Sequence, residues 1–315
     1  MRKFLMAFMA IALLGVFAAC SNDSGSDNSS EEASSEAGGE KSVSIMTPYL
    51  SSVTTKQMVD ELEVKAKDNG WEVNIVDTKG DAGGLASRME DVILAKTDAI
   101  VIVSTDPNQV AAQIQQAHDA GIPVFGADSG YIEGMTMNAT SDNEEMSKMI
   151  TEYLFEQMGG KGNLIALTHR PHPGVLKRSE MFDEVLKEYP DINLLTELEV
   201  EVPGPIESAR QQMENLLLAN KDDDAITAVW TGWDEPAIGA AQAIEDDGRD
   251  IIVTGIDGNS QAVEMIQDGS PIKATVEQNF IGMSEIVIEQ MEKVFNGEEV
   301  DGTELYAPAS LITAE

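Results

Sequence analysis

Beyond residue 41 the chain alternates between short, nearly unbroken apolar runs and longer stretches in which apolar positions recur every three or four residues. "VSIMT" (43–47) is followed by a helical pattern over 52–69, "WEVNIVD" (71–77) by one over 83–96, and "AIVIVS" (99–104) by one over 107–120. "IPVFGAD" (122–128) leads into a short "MTMNA" run (135–139) and a helical pattern over 143–158. The rhythm then restarts. "NLIALT" (163–168), "NLLTELEV" (193–200), "AITAVW" (225–230), "IIVTGID" (251–257) and "IKATVEQ" (272–278) precede helical patterns over 174–188, 205–219, 235–246, 259–268 and 280–296. Runs of continuous Ile, Val and Ala suit strands covered on both faces, so the pattern predicts parallel sheets flanked by helices. About ten strands exceed one comfortable doubly wound sheet, and two similar α/β lobes are the economical arrangement.

Punctuation residues support these boundaries. Asp106-Pro107 and Asp234-Glu235-Pro236 place a capping carboxylate ahead of a proline in a first helical turn. "DNGW" (68–71) and "AGIP" (120–123) end helices with glycine before a new strand. In open parallel sheets, ligands bind beyond the carboxyl ends of strands, where loops lead into helices. Those loops read "MTPYL" (46–50), "STDPN" (104–108), "GADSG" (126–130), "NATSDN" (138–143), "THRPHPG" (168–174), "WTGWDEP" (230–236) and "GIDGN" (255–259). They are rich in Asp, Asn, Thr and rings. Such a set suits a neutral polyhydroxyl ligand, whose C–H faces stack on rings while carboxylates and amides take its hydroxyls.

The N-terminus has a different character. Arg2 and Lys3 precede an apolar run from Phe4 to Ala19 that ends in small residues before Cys20. This reads as a secretory signal (1–19), shorter than the ~20 apolar residues a bilayer span requires. Cys20 is the only cysteine, so no internal disulfide is available. After "VFAA" it resembles the acylated first residue of a bacterial lipoprotein, although Phe17 stands where leucine is usual. Cleavage by an ordinary signal peptidase is the alternative. Residues 20–41, beginning "CSNDSGSDNSSEEASSEAGGE", carry no apolar residue larger than Ala beyond that cysteine and read as a disordered acidic tether. The protein is therefore expected to be extracytoplasmic and membrane-anchored.

The chain as a whole has 56 acidic and 20 basic residues, a net charge of −36, which argues against nucleic acid as a partner. The charge is spread along the chain, as on a solvated acidic surface. An apolar content of 42% is ample for globular lobes.

At this point the chain resembles type I periplasmic binding proteins, in particular the ribose-binding branch that feeds sugar transporters of the ATP-binding-cassette (ABC) class. "AKDNGWEVNIVD", "DPNQVAAQIQQAHDAGIPVFGAD", "ATSDN", "KRSEMFDEVL", "MENLLLAN", "DEPAIGAAQAI", "IIVTGIDG" and "IQDGSPIKATVEQ" occur in that family's order, over residues 42 to about 312. The resemblance implies two Rossmann-like lobes joined by a three-segment hinge near 141–143, 278–280 and 300–304. Lobe 1 would comprise 42–141 and 279–301, and lobe 2 would comprise 142–278 and 302–315. It also implies ligand contacts. Asp128 and Asp257 would grip sugar hydroxyls, Arg178 matches a cleft arginine, and Gln278 a cleft glutamine. Thr47 stands where asparagine is usual, and the two stacking aromatics become Tyr49 and Leu50. Ser129 replaces an arginine, and Trp233 replaces an asparagine. Tyr49 and Trp233 would sandwich the sugar from opposite lobes. These departures place ribose itself in doubt.

Blander readings stand beside these. Asp128 and Asp257 could simply cap the next helix, and Arg178 could pair with a surface carboxylate. His169 and His172 could suggest metal or acid–base work, but no third ligand is evident. His169 or Arg170 could touch ligand at the cleft rim. Trp71 and Trp230 read as packing, and the sequon Asn138-Ala139-Thr140 as incidental. The expected function is capture of a sugar or polyol and its delivery to an ABC permease, by a monomer with no cofactor and no metal. The alternative output is presentation of a sugar or signal molecule to a sensor kinase. No G-x-S-x-G elbow, P-loop or dinucleotide fingerprint supports an enzyme.

Overall fold

The computed structural model of the protein describes residues 40–314, and the signal, Cys20 and nearly all of the tether lie outside the described residues. The first lobe is built from β1 (Ser42–Thr47), α1 (Val53–Asp68), β2 (Glu72–Asp77), α2 (Ala82–Leu94), β3 (Ala99–Val103), α3 (Ala111–Asp119), β4 (Val124–Ala127) and β5 (Met137–Thr140). The second follows with α4 (Asn143–Gln157), β6 (Gly162–Thr168), α5 (Pro173–Leu186), β7 (Ile192–Glu199), α6 (Pro205–Ala219), β8 (Ala228–Thr231), α7 (Asp234–Asp247), β9 (Ile252–Asp257), α8 (Ser260–Gln267) and β10 (Ile272–Glu277). The chain then returns through α9 (Phe280–Phe295), β11 (Glu304–Tyr306) and β12 (Ser310–Thr313).

Two six-stranded sheets result, in the orders β11-β5-β4-β3-β1-β2 and β12-β10-β9-β8-β6-β7. The first is wholly parallel, and the second is parallel except for β12, which runs antiparallel to β10. The burial explains the apolar runs: all five residues of β3 and all four of β8 are buried, so neither strand has a solvent face. Each sheet is covered on both sides. In lobe 1, Met58, Val59, Leu62 and Ala66 of α1 meet Val287 and Met291 of α9 over β1 and β3. On the opposite face Leu85 and Met89 of α2 join Ile114 and Ala117 of α3. In lobe 2, α4 and α5 cover one face around Trp230, whose ring stacks on Phe182 at 4.6 Å between centroids. Helices α6 and α7 cover the other, and they approach so closely that a Cβ on Gly239 would stand 2.1 Å from the Ile206 carbonyl oxygen.

One of the two expected caps forms, at Asp106. Asp106 Oδ1 accepts from Asn108 N at 3.0 Å in a single 3-10 turn over Pro107–Val110, just ahead of α3. Trp71 packs edge-on to Phe295 at 5.0 Å, as core. Asn138 is fully buried and bonded to Ser129, so the sequon asparagine is part of the sheet interior.

One boundary is corrected. Residues from 302 onward were expected in lobe 2, yet Glu304–Tyr306 pairs with Asn138–Thr140 as an edge strand of the first sheet. The chain passes between the sheets at 141–142, at 278–279 and at 307–309, so the third crossing lies after β11 rather than at 300–304. This edge strand has no fully buried residue and is only three residues long, so it leaves no apolar run to read.

Candidate functional site

In both sheets the two strands at the switch in strand order, β1 and β3 in one and β6 and β8 in the other, point their carboxyl ends toward the same cleft. The cavity there, part of it open to solvent, spans about 480 Å³ of atom-free space and is lined by both lobes. From lobe 1 come Tyr49 after β1, Ser52, Thr54 and Thr55 at the start of α1, Ser104 after β3 and Asp128 after β4. From lobe 2 come His169, His172, Val175, Arg178, Val202, Trp233, Glu235 and Asp257.

The acidic groups are deeply buried. Asp128 is 6% exposed; its Oδ2 accepts from Ser104 Oγ at 3.3 Å, while Oδ1 has no partner. Burial raises its pKa to about 6 against the opposing pull of the Arg178 charge and the Ser104 bond. Asp257 is raised well above the usual carboxylate range, again by burial, with Arg178 opposing and Asp234 adding to the rise. Its Oδ1 accepts from Gln278 Nε2 at 2.8 Å and lies 3.5 Å from Arg178 Nη1. Arg178 itself is 2% exposed and held from behind, donating Nε to Asn143 Oδ1 at 2.8 Å and Nη1 to the Gly232 carbonyl at 2.9 Å. It is neither a surface cation nor a surface ion pair. Ser104, Asp128 and Asp257 all have positive φ (50°, 50° and 139°), so at three cavity-lining positions the backbone is held in a conformation unfavourable to side-chain-bearing residues.

The rings form a connected wall. Tyr49 lies 6.4 Å from His169 and 6.2 Å from His172, and His169 lies 6.3 Å from Trp233. His172 Nδ1 accepts from Gly174 N and Val175 N, capping α5, so its Nε2 carries the proton and lies 3.8 Å from Asp128 Oδ2. Burial, with Arg178 and His169 nearby, lowers the pKa of His172 to about 3, so the ring is neutral. Trp233 donates Nε1 to Glu235 Oε2 at 3.3 Å, and the same oxygen accepts from Ser52 Oγ at 3.0 Å across the cleft. The lobes are therefore closed on one another.

Six of the ten expected contacts line the cavity: Tyr49, Asp128, His169, Arg178, Trp233 and Asp257. Four do not. Leu50 packs into the lobe 1 core beside the cluster of Val43 and Phe280. Thr47 is fully buried and its Oγ1 accepts from Tyr49 N at 3.0 Å, shaping the loop from behind. Ser129 turns inward, accepting from Thr105 N and donating to the Ile102 carbonyl. Gln278 stands behind Asp257 and orients it. Tyr49 and Trp233 do face the cavity from opposite lobes, with His169 between them. The capping readings also change. Asn259 caps α8, not Asp257, and no helix follows Asp128 before β5. Asp234 is the first residue of α7 but caps nothing there: its carboxylate accepts from Asn259 N (2.7 Å) and Thr275 Oγ1 (2.7 Å). Arg170 is spent on Glu197 and Asp183 away from the cleft. Among the described residues, no group of three or more His, Cys, Asp or Glu is placed to hold a metal ion. Nor is any helix among them long and apolar enough to cross a membrane.

Sequence reasoning passed over His172, Glu235, and the hydroxyl residues Ser52, Thr54, Thr55 and Ser104, which also line the cavity. The available signal was their position within the first residues after a strand end, in the loop or the opening helical turn.

Two open α/β lobes closed over a cavity lined by rings, hydroxyls and buried carboxylates define a type I periplasmic binding protein. The chain belongs to the periplasmic binding protein family: the family model described as "Periplasmic binding protein domain" matches residues 43–299. The ribose import binding protein of Bacillus subtilis (strain 168) is 29% identical over 254 residues, covering 80% of each chain. The D-apiose import binding protein of Actinobacillus succinogenes is 27% identical over 255 residues, 80% of this chain and 81% of that one. A solved ABC transporter solute-binding protein from Agrobacterium vitis with bound allitol has a TM-score of 0.84 at 27% identity, covering 88% of this chain and 96% of its own. These likenesses place the chain among the solute-binding proteins of sugar ABC transporters.

Proposed function

We propose that this protein captures one small polyhydroxylated solute, a sugar or sugar alcohol, between its lobes and delivers it to an ABC permease. The observation that carries the reading is the set of Asp128 and Asp257, buried at strand ends of the two lobes, and Arg178, buried on α5, beside Tyr49 and Trp233. Carboxylates and a guanidinium take hydroxyls, and the rings take the C–H faces of a carbon skeleton. The B. subtilis and A. succinogenes relatives carry ribose and D-apiose in their names, and the A. vitis structure holds allitol, all of this chemical class. The protein acts by binding and closing rather than by catalysis, as a monomer. Acylation at Cys20 would tether it to the membrane through the acidic segment, keeping it near its permease.

Thermal-shift screening against pentoses, hexoses, polyols and amino sugars tests the reading, because a ligand at 100 times its Kd adds about 2.7 kcal/mol. A shift with one or a few of these is expected. A panel in which no carbohydrate shifts the melting point refutes it. Mass spectrometry of the mature protein tests the anchor: a diacylglyceryl group on Cys20 is expected, and an unmodified N-terminus elsewhere refutes it.

A further inference from the structure

The cavity gathers more carboxyl groups than it has cations to balance in their ionised form. Asp128, Asp257 and Glu235 line it, and Asp234 lies directly behind, bonded to Thr275 and Asn259. The only lysine or arginine among the lining residues is Arg178. That single guanidinium acts on Asp128, Asp234 and Asp257 together. Its Nε and Nη1 are already committed to Asn143 and Gly232. His172 adds no charge, held neutral by burial and by the backbone N–H groups on Nδ1, and burial also lowers the pKa of His169. Glu235 is hydrogen-bonded to Ser52 and Trp233, but no cation among the described residues lies against it.

A second observation locates the deficit. Asp128 Oδ1 is buried with no hydrogen-bond partner, although the residue is held in place by a left-handed backbone and by Ser104 on its other oxygen. An unpartnered carboxylate oxygen in a low-dielectric site is costly, and Asp128 is one of the residues that line the cavity. A ligand hydroxyl would supply one donor and leave the excess charge in place. An ammonium supplies up to three donors and removes a unit of the excess. The surrounding wall suits a cation as well. The His172 ring stands beside Asp128 with Tyr49 against it, and Trp233 lies beyond His169.

We propose that the solute carries one protonated amine, making it an amino sugar or amino polyol whose ammonium sits against Asp128 Oδ1. The proposal rests on the carbohydrate reading given above and narrows it.

The test is calorimetric titration of the full chain with matched triplets: glucosamine, glucose and N-acetylglucosamine; an inosamine, myo-inositol and the N-acetylated inosamine; an aminodeoxyribitol, ribitol and its N-acetyl form. In at least one triplet the free amine should bind about 30-fold or more tighter than both neutral members. Asp128→Asn should erase that preference, bringing the members within about threefold while its thermal transition stays cooperative. Neutral members binding as well as or better than the amines would overturn the ammonium and leave the sugar reading standing. Choline or putrescine binding while every triplet fails would overturn the carbohydrate reading and this proposal with it. Binding by none of these probes would overturn both. The wild-type comparison decides the matter even where Asp128→Asn does not fold.

Discussion

Removing the Ser52 hydroxyl isolates what holds the cleft shut. In the closed form Ser52 Oγ, from lobe 1, donates to Glu235 Oε2 of lobe 2 at 3.0 Å. Glu235 is 4% exposed, and burial raises its pKa, opposed by hydrogen bonds from Ser52, Trp233 Nε1 and Val53 N. Its carboxylate thus takes the place of a local N-cap for α1, whose own Ser52 makes no side-chain capping bond. Once the lobes separate, water replaces every interlobe donor. A bond to a charged acceptor contributes about 1.5–3 kcal/mol, and Glu235 keeps two other donors, so Ser52→Ala should weaken closure by about 1–2 kcal/mol. The apparent Kd, which scales inversely with the closable population, rises about 5- to 30-fold.

Calorimetric titration of wild type and Ser52→Ala measures this directly. Ligand-free stability should change little, because the Ser52 hydroxyl caps no backbone N–H of α1 and its local contact is a 3.3 Å bond with Thr54 Oγ1. In a Glu235→Gln background the Ser52→Ala effect should shrink, exposing the pairwise coupling. The sign with pH follows from the direction of the shift. Ser52 lowers the Glu235 pKa in the closed form, so the advantage of wild type is present where Glu235 is ionised. It fades as pH falls through that titration. An affinity within twofold of wild type, or a melting-point loss matching the affinity loss, would refute the latch.

Trp233→Ala removes a ring wall and the Nε1 donor to Glu235; affinity should fall by about 2–4 kcal/mol, or roughly 30- to 1,000-fold, by the same titration. Asp128→Asn should change the pH dependence of stability. With its folded pKa raised from 3.8 to about 6, Asp128 holds its proton to higher pH in the folded state, so its contribution to stability falls as pH rises from about 4 to 6 and then stays level. The variant, compared with wild type by urea unfolding between pH 4 and 7, should gain up to about 3 kcal/mol at the upper end and nothing at the lower. Trp230→Ala should cost about 3–5 kcal/mol in unfolding free energy, since its fully buried ring stacks on Phe182 in the lobe 2 core; loss below 1 kcal/mol would contradict that placement.

The elements easiest to read in the sequence were those buried on both faces. Strands such as "AIVIV" leave no alternation for solvent, and every helix between them starts within two residues of the expected position or includes it in a preceding turn. The edge strands β11 and β12 escaped because neither has a fully buried residue, so burial imposed no apolar pattern. At the site, strand-end position identified the right loops, and six residues chosen there reach the cavity. Direction within a loop was not legible. Leu50 follows Tyr49 but turns into the core, and Ser129 follows Asp128 but bonds backbone groups of β3 and its exit loop. Spacing fixes which loop a residue occupies; packing decides which way its side chain turns.

The same buried charges explain why closure should wait for solute. Shut without ligand, the cleft strips water from Asp128 and Asp257 while supplying only Arg178 as a cation and leaving Asp128 Oδ1 unpaired. Burial raises both pKa values, which means the ionised forms are disfavoured in that state. The latch through Ser52 and Glu235 favours closure, but one or two hydrogen bonds cannot offset several desolvated carboxylates. A solute that donates to those oxygens removes the opposing cost at the moment it enters. The differential affinity for the closed form then comes from the carboxylates rather than from the area buried. On this account Asp128 and Asp257 are both recognition groups and the gate: their desolvation holds the lobes apart, and satisfying them lets the lobes meet.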